Sequence, residues 1–182
     1  MKIRQFGKTI PNLKIYGRDA PYKVLNERDT RAAAGIMLIG GIIAFTHALF
    51  LKDYTFLYLF VILFTIEFGI RVLINPNFAP FYALGSFVVR KQIPEYSGAT
   101  QKRFAWSLGF LMALSMIVIA IIYQIRGILP FAICLTCLLL LWLESSFGIC
   151  VGCKMYSYLI KLKIIKEPKV KPACPGGICE LK

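Results

Sequence analysis

Four apolar runs, each about 20 residues long, constrain this chain more than any other feature of its sequence. They cover residues 32–51, 54–74, 104–125 and 128–147. The hydrocarbon core of a bilayer is about 30 Å thick, and a helix needs roughly 20 residues to cross it. Because 58% of the residues are hydrophobic, a soluble domain of this size has too little interior to bury them. We therefore expect an all-α membrane protein with four transmembrane helices.

The 22 Lys and Arg residues are distributed unevenly along the chain. Eight precede the first run, five lie between Arg71 and Arg103 inclusive, and seven follow the fourth run. Only Lys52 and Arg126 lie in the two other connections, so alternating spans put 20 cations on one side and 2 on the other. Positive residues accumulate in cytoplasmic loops, and we therefore expect both termini in the cytoplasm. This distribution indicates that the net charge of +13 attracts anionic lipid headgroups and is not a sign of nucleic-acid binding.

Outside the spans, the sequence predicts three further features. Residues 1–25 form a basic cytoplasmic segment without the apolar stretch of a signal peptide. Residues 26–160 form the membrane domain, and residues 161–182 form a basic cytoplasmic tail with a cysteine pair. Within the domain, residues 78–91 contain an apolar stretch that covers only ~18 Å as a helix. It is too short to cross, so it is expected to be an interfacial or re-entrant helix on the cytoplasmic side.

The six cysteines are the main indication of chemistry. They form three pairs, which are Cys134 with Cys137, Cys150 with Cys153, and Cys174 with Cys179. The first pair lies inside the fourth run and is interpreted as packing, because a buried cysteine behaves as a small apolar residue. The second pair is a C-x-x-C at the inner end of that run. This spacing lets one thiolate attack and its neighbour resolve a mixed disulfide, or lets two sulfurs bind one metal.

Two interpretations of the C-x-x-C remain open. In the first, the protein exchanges electrons or sulfane sulfur with a cytoplasmic partner such as a thioredoxin-like protein or a sulfurtransferase, and it needs no cofactor. The following Lys154 favours the thiolate, and Cys174 and Cys179 act as a shuttle arm around a Pro-Gly-Gly turn. In the second, Cys150, Cys153, Cys174 and Cys179 together bind zinc or an iron–sulfur cluster.

Three charged residues within the runs give a third interpretation. Glu67 and Arg71 are four residues apart and can form an ion pair on one helix face. Glu144 has no partner in its own run, so it either transfers protons beside the thiols or pairs with Arg71 from a neighbouring helix. Together with the re-entrant candidate at residues 78–91, these three residues could line the path of a small transporter for a sulfur species or an ion, and four spans would then require a homo-oligomer.

The position of Glu144 depends on whether its helix continues. At 100° per residue, an unbroken helix turns Glu144 away from Cys150 and Cys153. Glycine has a low helix propensity, and we therefore expect Gly148 or Gly152 to end or bend the helix.

Several of these segments resemble an uncharacterised bacterial membrane family, domain of unknown function 4395. The resemblance is carried by residues 26–29 (N-E-R-D), 75–89, 101–106 (Q-K-R-F-A-W) and 148–155 (G-I-C-V-G-C-K-M). It covers about residues 20–160. The resemblance implies a protein of the bacterial inner membrane in which the C-x-x-C is the family's site, and it implies no particular activity.

Overall fold

The structure is a computed structural model that describes residues 6–15 and 18–165. Four of its helices are long and apolar enough to cross a membrane, and they cover Glu27–Leu51, Thr55–Ile74, Ala99–Ile122 and Ile128–Phe147. The first and third begin earlier than the apolar runs predict. The added turns carry polar side chains such as Glu27 and Lys102, which are buried between helices, so hydropathy alone does not include them in a span.

The described part of the chain contains six α-helices. They are α1 (Glu27–Thr46), α2 (Thr55–Gly69), α3 (Pro80–Val88), α4 (Ala99–Met116), α5 (Ile128–Phe147) and α6 (Val151–Lys161). Wider π turns continue α1, α2 and α4 to the ends of their spans. Helices α3 and α6 have 9 and 11 residues and are too short to cross a bilayer. Helix α3 lies within residues 78–91, for which an interfacial or re-entrant helix is the prediction.

Four short strands lie at the end of the bundle where α1 and α4 begin. Strands β1 (Lys14–Ile15) and β2 (Arg18–Asp19) pair with each other, and β3 (Val24–Asn26) pairs with β4 (Tyr96–Gly98), both antiparallel. Strand β3 leads directly into α1, and β4 leads directly into α4. The β3–β4 hydrogen bonds therefore hold the starts of these two helices side by side.

The interior of the bundle combines small residues on α1 with large side chains from the other helices. The large core residues from those other helices include Phe68, Tyr82, Trp106 and Leu141. Helix α3 packs directly on the α1 backbone, where a Cβ added to Gly85 would lie 2.6 Å from the backbone nitrogen of Ala33. Small residues at such crossings let helices approach closely.

Helix α5 ends where glycine was expected to break it. Its last residue is Phe147, and Gly148 adopts a left-handed conformation with φ of 66°, which glycine reaches without steric cost. The Gly148 N–H donates to the carbonyl of Glu144. The chain then reverses into α6, which packs against α4, so the prediction of a break is confirmed at Gly148.

A candidate thiol site

The C-x-x-C lies at the start of α6. Cys150 is the N-cap residue of this helix, and Cys153 lies in its first turn. Both side chains are buried, with 6% and 1% exposure. The positive end of a helix stabilises negative charge, and reactive cysteines are often found at such helix starts.

The two thiols interact with each other. A side-chain hydrogen bond with Cys150, together with burial, raises the pKa of Cys153 well above its usual range. Burial and this contact thus disfavour the thiolate of Cys153. In a C-x-x-C pair, the second sulfur can resolve a mixed disulfide that forms at the first.

The glycine within C-V-G-C brings this helix start against α4. A Cβ added to Gly152 would lie 2.6 Å from the Cβ of Ala105, closer than side chains approach one another. No larger residue fits at this position without a shift of α6. Gly152 therefore sets the distance between the thiols and the residues of α4 one turn before Ala105.

One of those residues is Lys102, which is fully buried. Its Nζ donates to Glu27 Oε1 at 2.9 Å and to Glu144 Oε1 at 2.7 Å. Ser97 Oγ donates to the other oxygen of Glu27 at 2.8 Å. We call Lys102, Glu27 and Glu144 the buried charge cluster. Its ammonium also interacts electrostatically with both thiols of the C-x-x-C.

Sequence reasoning missed two members of this cluster. The sequence indicates Lys102 only as one of the cations on the predicted cytoplasmic side, and Glu27 only as part of the N-E-R-D segment. Helical spacing offered a signal, because Lys102 lies one turn before Trp106 and two turns before Gly109 on a face of α4 that is otherwise apolar. A cation on that stripe must face the protein interior.

Glu144 has a different partner from the one considered first. It pairs with Lys102 rather than with Arg71, so the predicted Glu144–Arg71 pair is wrong. The reason is topological, since Arg71 is already held by Glu67 and the β3–β4 pairing brings the start of α4 to the cluster. The break at Gly148 turns the chain so that Glu144 and Cys150 line the same cleft.

Glu67 and Arg71 form the expected pair within α2, and it is fully buried. Arg71 Nε donates to Glu67 Oε1 at 2.8 Å. The Glu67 carboxylate also accepts the backbone N–H groups of Phe81 and Tyr82, each at 2.9 Å. It thereby caps the positive end of α3, while the guanidinium lies over the rings of Phe68, Tyr82 and Trp106. These contacts support a structural role that holds α3 against α2.

The remaining cysteines lie apart from the thiol site or outside the described residues. Cys134 and Cys137 are partly buried in α5, and Cys137 lines the far end of the cleft that reaches Cys150. Cys174 and Cys179, and with them the proposed shuttle arm and tetrathiolate site, lie outside residues 6–15 and 18–165. Within those residues, no group of three or more His, Cys, Asp or Glu side chains could hold a metal ion.

Together, these features define a class of protein: a helical bundle with four helices able to span a membrane, and a buried dithiol beside a buried ammonium. The sequence model of the family described as Domain of unknown function (DUF4395) matches residues 25–161, and the chain belongs to that family. The expected resemblance is confirmed, and the match includes the C-x-x-C and the whole charge cluster. No curated protein and no solved structure matches the chain.

Proposed function

We propose that this protein is a multi-pass protein of the bacterial inner membrane whose Cys150–Cys153 pair exchanges electrons or sulfane sulfur on the cytoplasmic side. The site is built from the starts of α1 and α4 and the end of α5. In a chain that crosses the bilayer in alternation, these ends share the side with 20 of the 22 cations. The charge distribution thus supports a cytoplasmic location for the site and both termini, and the apolar α3 then lies at the same interface.

The observation that carries the proposal is the buried C-x-x-C at the start of α6, near enough to the buried Lys102 for its ammonium to interact with both thiols. In electron exchange, the Cys150 thiolate attacks one sulfur of a partner disulfide, and the second partner sulfur leaves as a thiolate that takes up a proton. Cys153 then loses its proton, attacks Cys150 Sγ, and releases the first partner sulfur. The protein becomes a disulfide, and two electrons and two protons have passed to the partner.

The same site can transfer sulfane sulfur without net oxidation. The Cys150 thiolate attacks the outer sulfur of a partner persulfide, a new S–S bond forms at Cys150, and the partner leaves as a thiolate. A thioredoxin-like protein fits the first reaction, and a sulfurtransferase fits the second. Both use Cys150 as the nucleophile.

The buried charge cluster acts on this chemistry through position and charge. Lys102 stabilises the thiolate and is itself held by Glu27 and Glu144, so it is a positioning residue. Glu144 is the most accessible of the three, since its side chain is 17% exposed and lines the cleft beside Cys150. We assign to it the uptake and return of the proton that the dithiol releases.

The tail cysteines fit this function as a shuttle arm. Cys150 is buried, so a narrow segment that carries a sulfur reaches it more easily than the flat face of a globular partner does. Cys174 lies 13 residues beyond the end of α6 at Lys161, and such a segment reaches up to ~43 Å when extended. That length lets Cys174 and Cys179 carry a disulfide between the buried pair and a soluble partner.

The alternative metal site depends on Cys174 and Cys179, which lie outside residues 6–15 and 18–165. Glu67 and Arg71 bind each other and hold α3 against α2. They therefore do not support the alternative in which they line the path of a transporter. Metal analysis of the purified protein distinguishes the metal site, since one zinc or one iron–sulfur cluster per chain would contradict the thiol proposal.

The direct test is mass spectrometry of the intact protein after rapid thiol trapping in cells. We expect Cys150 and Cys153 to be found partly as a disulfide or persulfide. Cys153→Ser should accumulate a mixed disulfide with the partner, and Cys150→Ser should not. Cys137→Ser is the matched control for loss of one thiol, and unchanged trapping in Cys150→Ser would refute the assignment.

A further inference from the structure

The open side of the thiol site faces a cleft between α4, α5 and α6. The cleft has a volume of about 320 Å³, at the lower end of the range of small-molecule pockets, which is roughly 300–1,000 Å³. Its walls are apolar and include Trp106, Met112 and Leu140. Its ionisable groups are Glu144, Cys150 and Cys137.

The mouth of the cleft lies among apolar side chains. Leu111 and Met155 line the cleft and are 60% and 46% exposed. Leu111 belongs to α4, one of the four helices that can span a membrane, so in a bilayer this opening faces hydrocarbon. A molecule that reaches Cys150 by this route must therefore come from the lipid phase.

We propose that this cleft binds the headgroup of a lipid-soluble quinone, which oxidises the Cys150–Cys153 dithiol. The inference rests on the proposed thiol function and names its membrane substrate. Among apolar molecules of the bilayer, a quinone has the flat ring that suits a cleft walled by Trp106 and the capacity to accept two electrons and two protons. A lipid acyl chain would fill the same space but could not react with a thiol.

The reaction balances without another reactant. The Cys150 thiolate, stabilised by Lys102, adds to the quinone ring and reduces it as a covalent adduct. Cys153 then attacks Cys150 Sγ, the carbon–sulfur bond breaks, and the quinol leaves. The two protons lost by the dithiol are the two gained by the quinol, and Glu144 lies where it can pass one of them. A partner dithiol would then reduce this disulfide by the reverse of the exchange described under Proposed function, so that two electrons pass from the partner to the membrane quinone pool.

The test uses the reduced full-length protein in lipid nanodiscs without oxygen, with decylubiquinone as the quinone. Quinol formation is followed by absorbance, and the Cys150–Cys153 disulfide by mass spectrometry. Diamide, a small soluble thiol oxidant, reports separately on whether the dithiol can form a disulfide at all. We expect one quinol per disulfide, and no disulfide in Cys153→Ser.

Two substitutions fill the cleft from different helices, Leu140→Trp on α5 and Met112→Trp on α4. Each should slow quinone reduction by at least ~10-fold, equal to about 1.4 kcal/mol of barrier, while oxidation by diamide is unchanged. Leu139→Trp is the matched control, because Leu139 adjoins Leu140 but points outward with 50% exposure. It should behave as the unmodified protein.

The outcomes separate the two proposals. Disulfide formation with diamide but not with decylubiquinone would overturn the quinone inference and leave the thiol function standing. Equal quinone reduction in Leu140→Trp, Met112→Trp and the unmodified protein would also overturn it, since the cleft would not be the route. Failure of both oxidants to form the disulfide would overturn the thiol function and the inference together.

Discussion

Replacement of Lys102 by methionine is the most informative single change. Its ammonium is fully buried and lies 2.9 Å and 2.7 Å from two carboxylates. Removing one partner of a buried ion pair costs about 3–5 kcal/mol, because the other charge stays buried without compensation. Glu144 is partly exposed and can regain water, so Glu27, at 4% exposure, accounts for most of the loss. We expect Lys102→Met to lower the free energy of unfolding by about 3–5 kcal/mol.

The assay is reversible unfolding in mixed detergent micelles followed by far-ultraviolet circular dichroism. Lys154→Met is the matched control, because Lys154 is exposed and a surface substitution changes stability by about 0.5 kcal/mol or less. A triple variant, Lys102→Met with Glu27→Gln and Glu144→Gln, removes both orphaned charges and should recover most of the lost stability. A loss below about 1 kcal/mol in Lys102→Met, or no recovery in the triple variant, would refute the cluster as described.

The same variants separate stability from reactivity. If Lys102 stabilises the Cys150 thiolate, Lys102→Met, which keeps both carboxylates, should react with iodoacetamide about 10-fold more slowly at neutral pH while it stays folded, which corresponds to about 1.4 kcal/mol. Lys154→Met should change the rate less than ~2-fold, because its charge lies in water. Mass spectrometry after timed alkylation gives the rate at each cysteine. A larger decrease in rate for Lys154→Met than for Lys102→Met would instead support the prediction from sequence that Lys154 favours the thiolate.

Three further predictions follow from the contacts. Because the pKa of Cys153 is raised, its alkylation should begin only well above pH ~8.5, where an ordinary thiol titrates. Cys150→Ala removes the contact with Cys150 that raises this pKa, so alkylation of Cys153 should begin at a lower pH. Mass spectrometry of samples alkylated over a series of pH values measures both. The folded state retains this proton, so its contribution to stability is complete below the unfolded pKa of about 8.5 and falls as pH rises above it. Gly152→Ala places a Cβ 2.6 Å from a side-chain carbon of α4 and should lower unfolding free energy by about 1–3 kcal/mol, whereas Gly35→Ala, with 3.8 Å of space, should not destabilise. Glu67→Gln leaves a buried guanidinium without its carboxylate and should cost about 3–5 kcal/mol by the same unfolding assay; a cost below about 1 kcal/mol would contradict its role in holding α3.

Part of the site could be predicted from local rules. The C-x-x-C was visible as spacing, the Glu67–Arg71 pair followed from their positions one helical turn apart, and the break at Gly148 followed from low helix propensity. Each of these depends on residues that are close in the sequence. The partner of Glu144 could not be derived in this way, because Lys102 is 42 residues away and its approach depends on how α4 packs.

The sequence by itself determined the class of protein and the order of its parts. Runs of 20 apolar residues predict helices that can cross a bilayer, because a helix satisfies its own backbone there, and the described residues contain four such helices. Tertiary structure alone decided the site. The β3–β4 pairing, the glycine reversal after α5 and the close contact at Gly152 bring Glu27, Lys102, Glu144 and the thiols together from four helices. The position of these side chains depends on packing between segments that are distant in the sequence. Hydrophobic periodicity does not indicate which charged side chains will face one another.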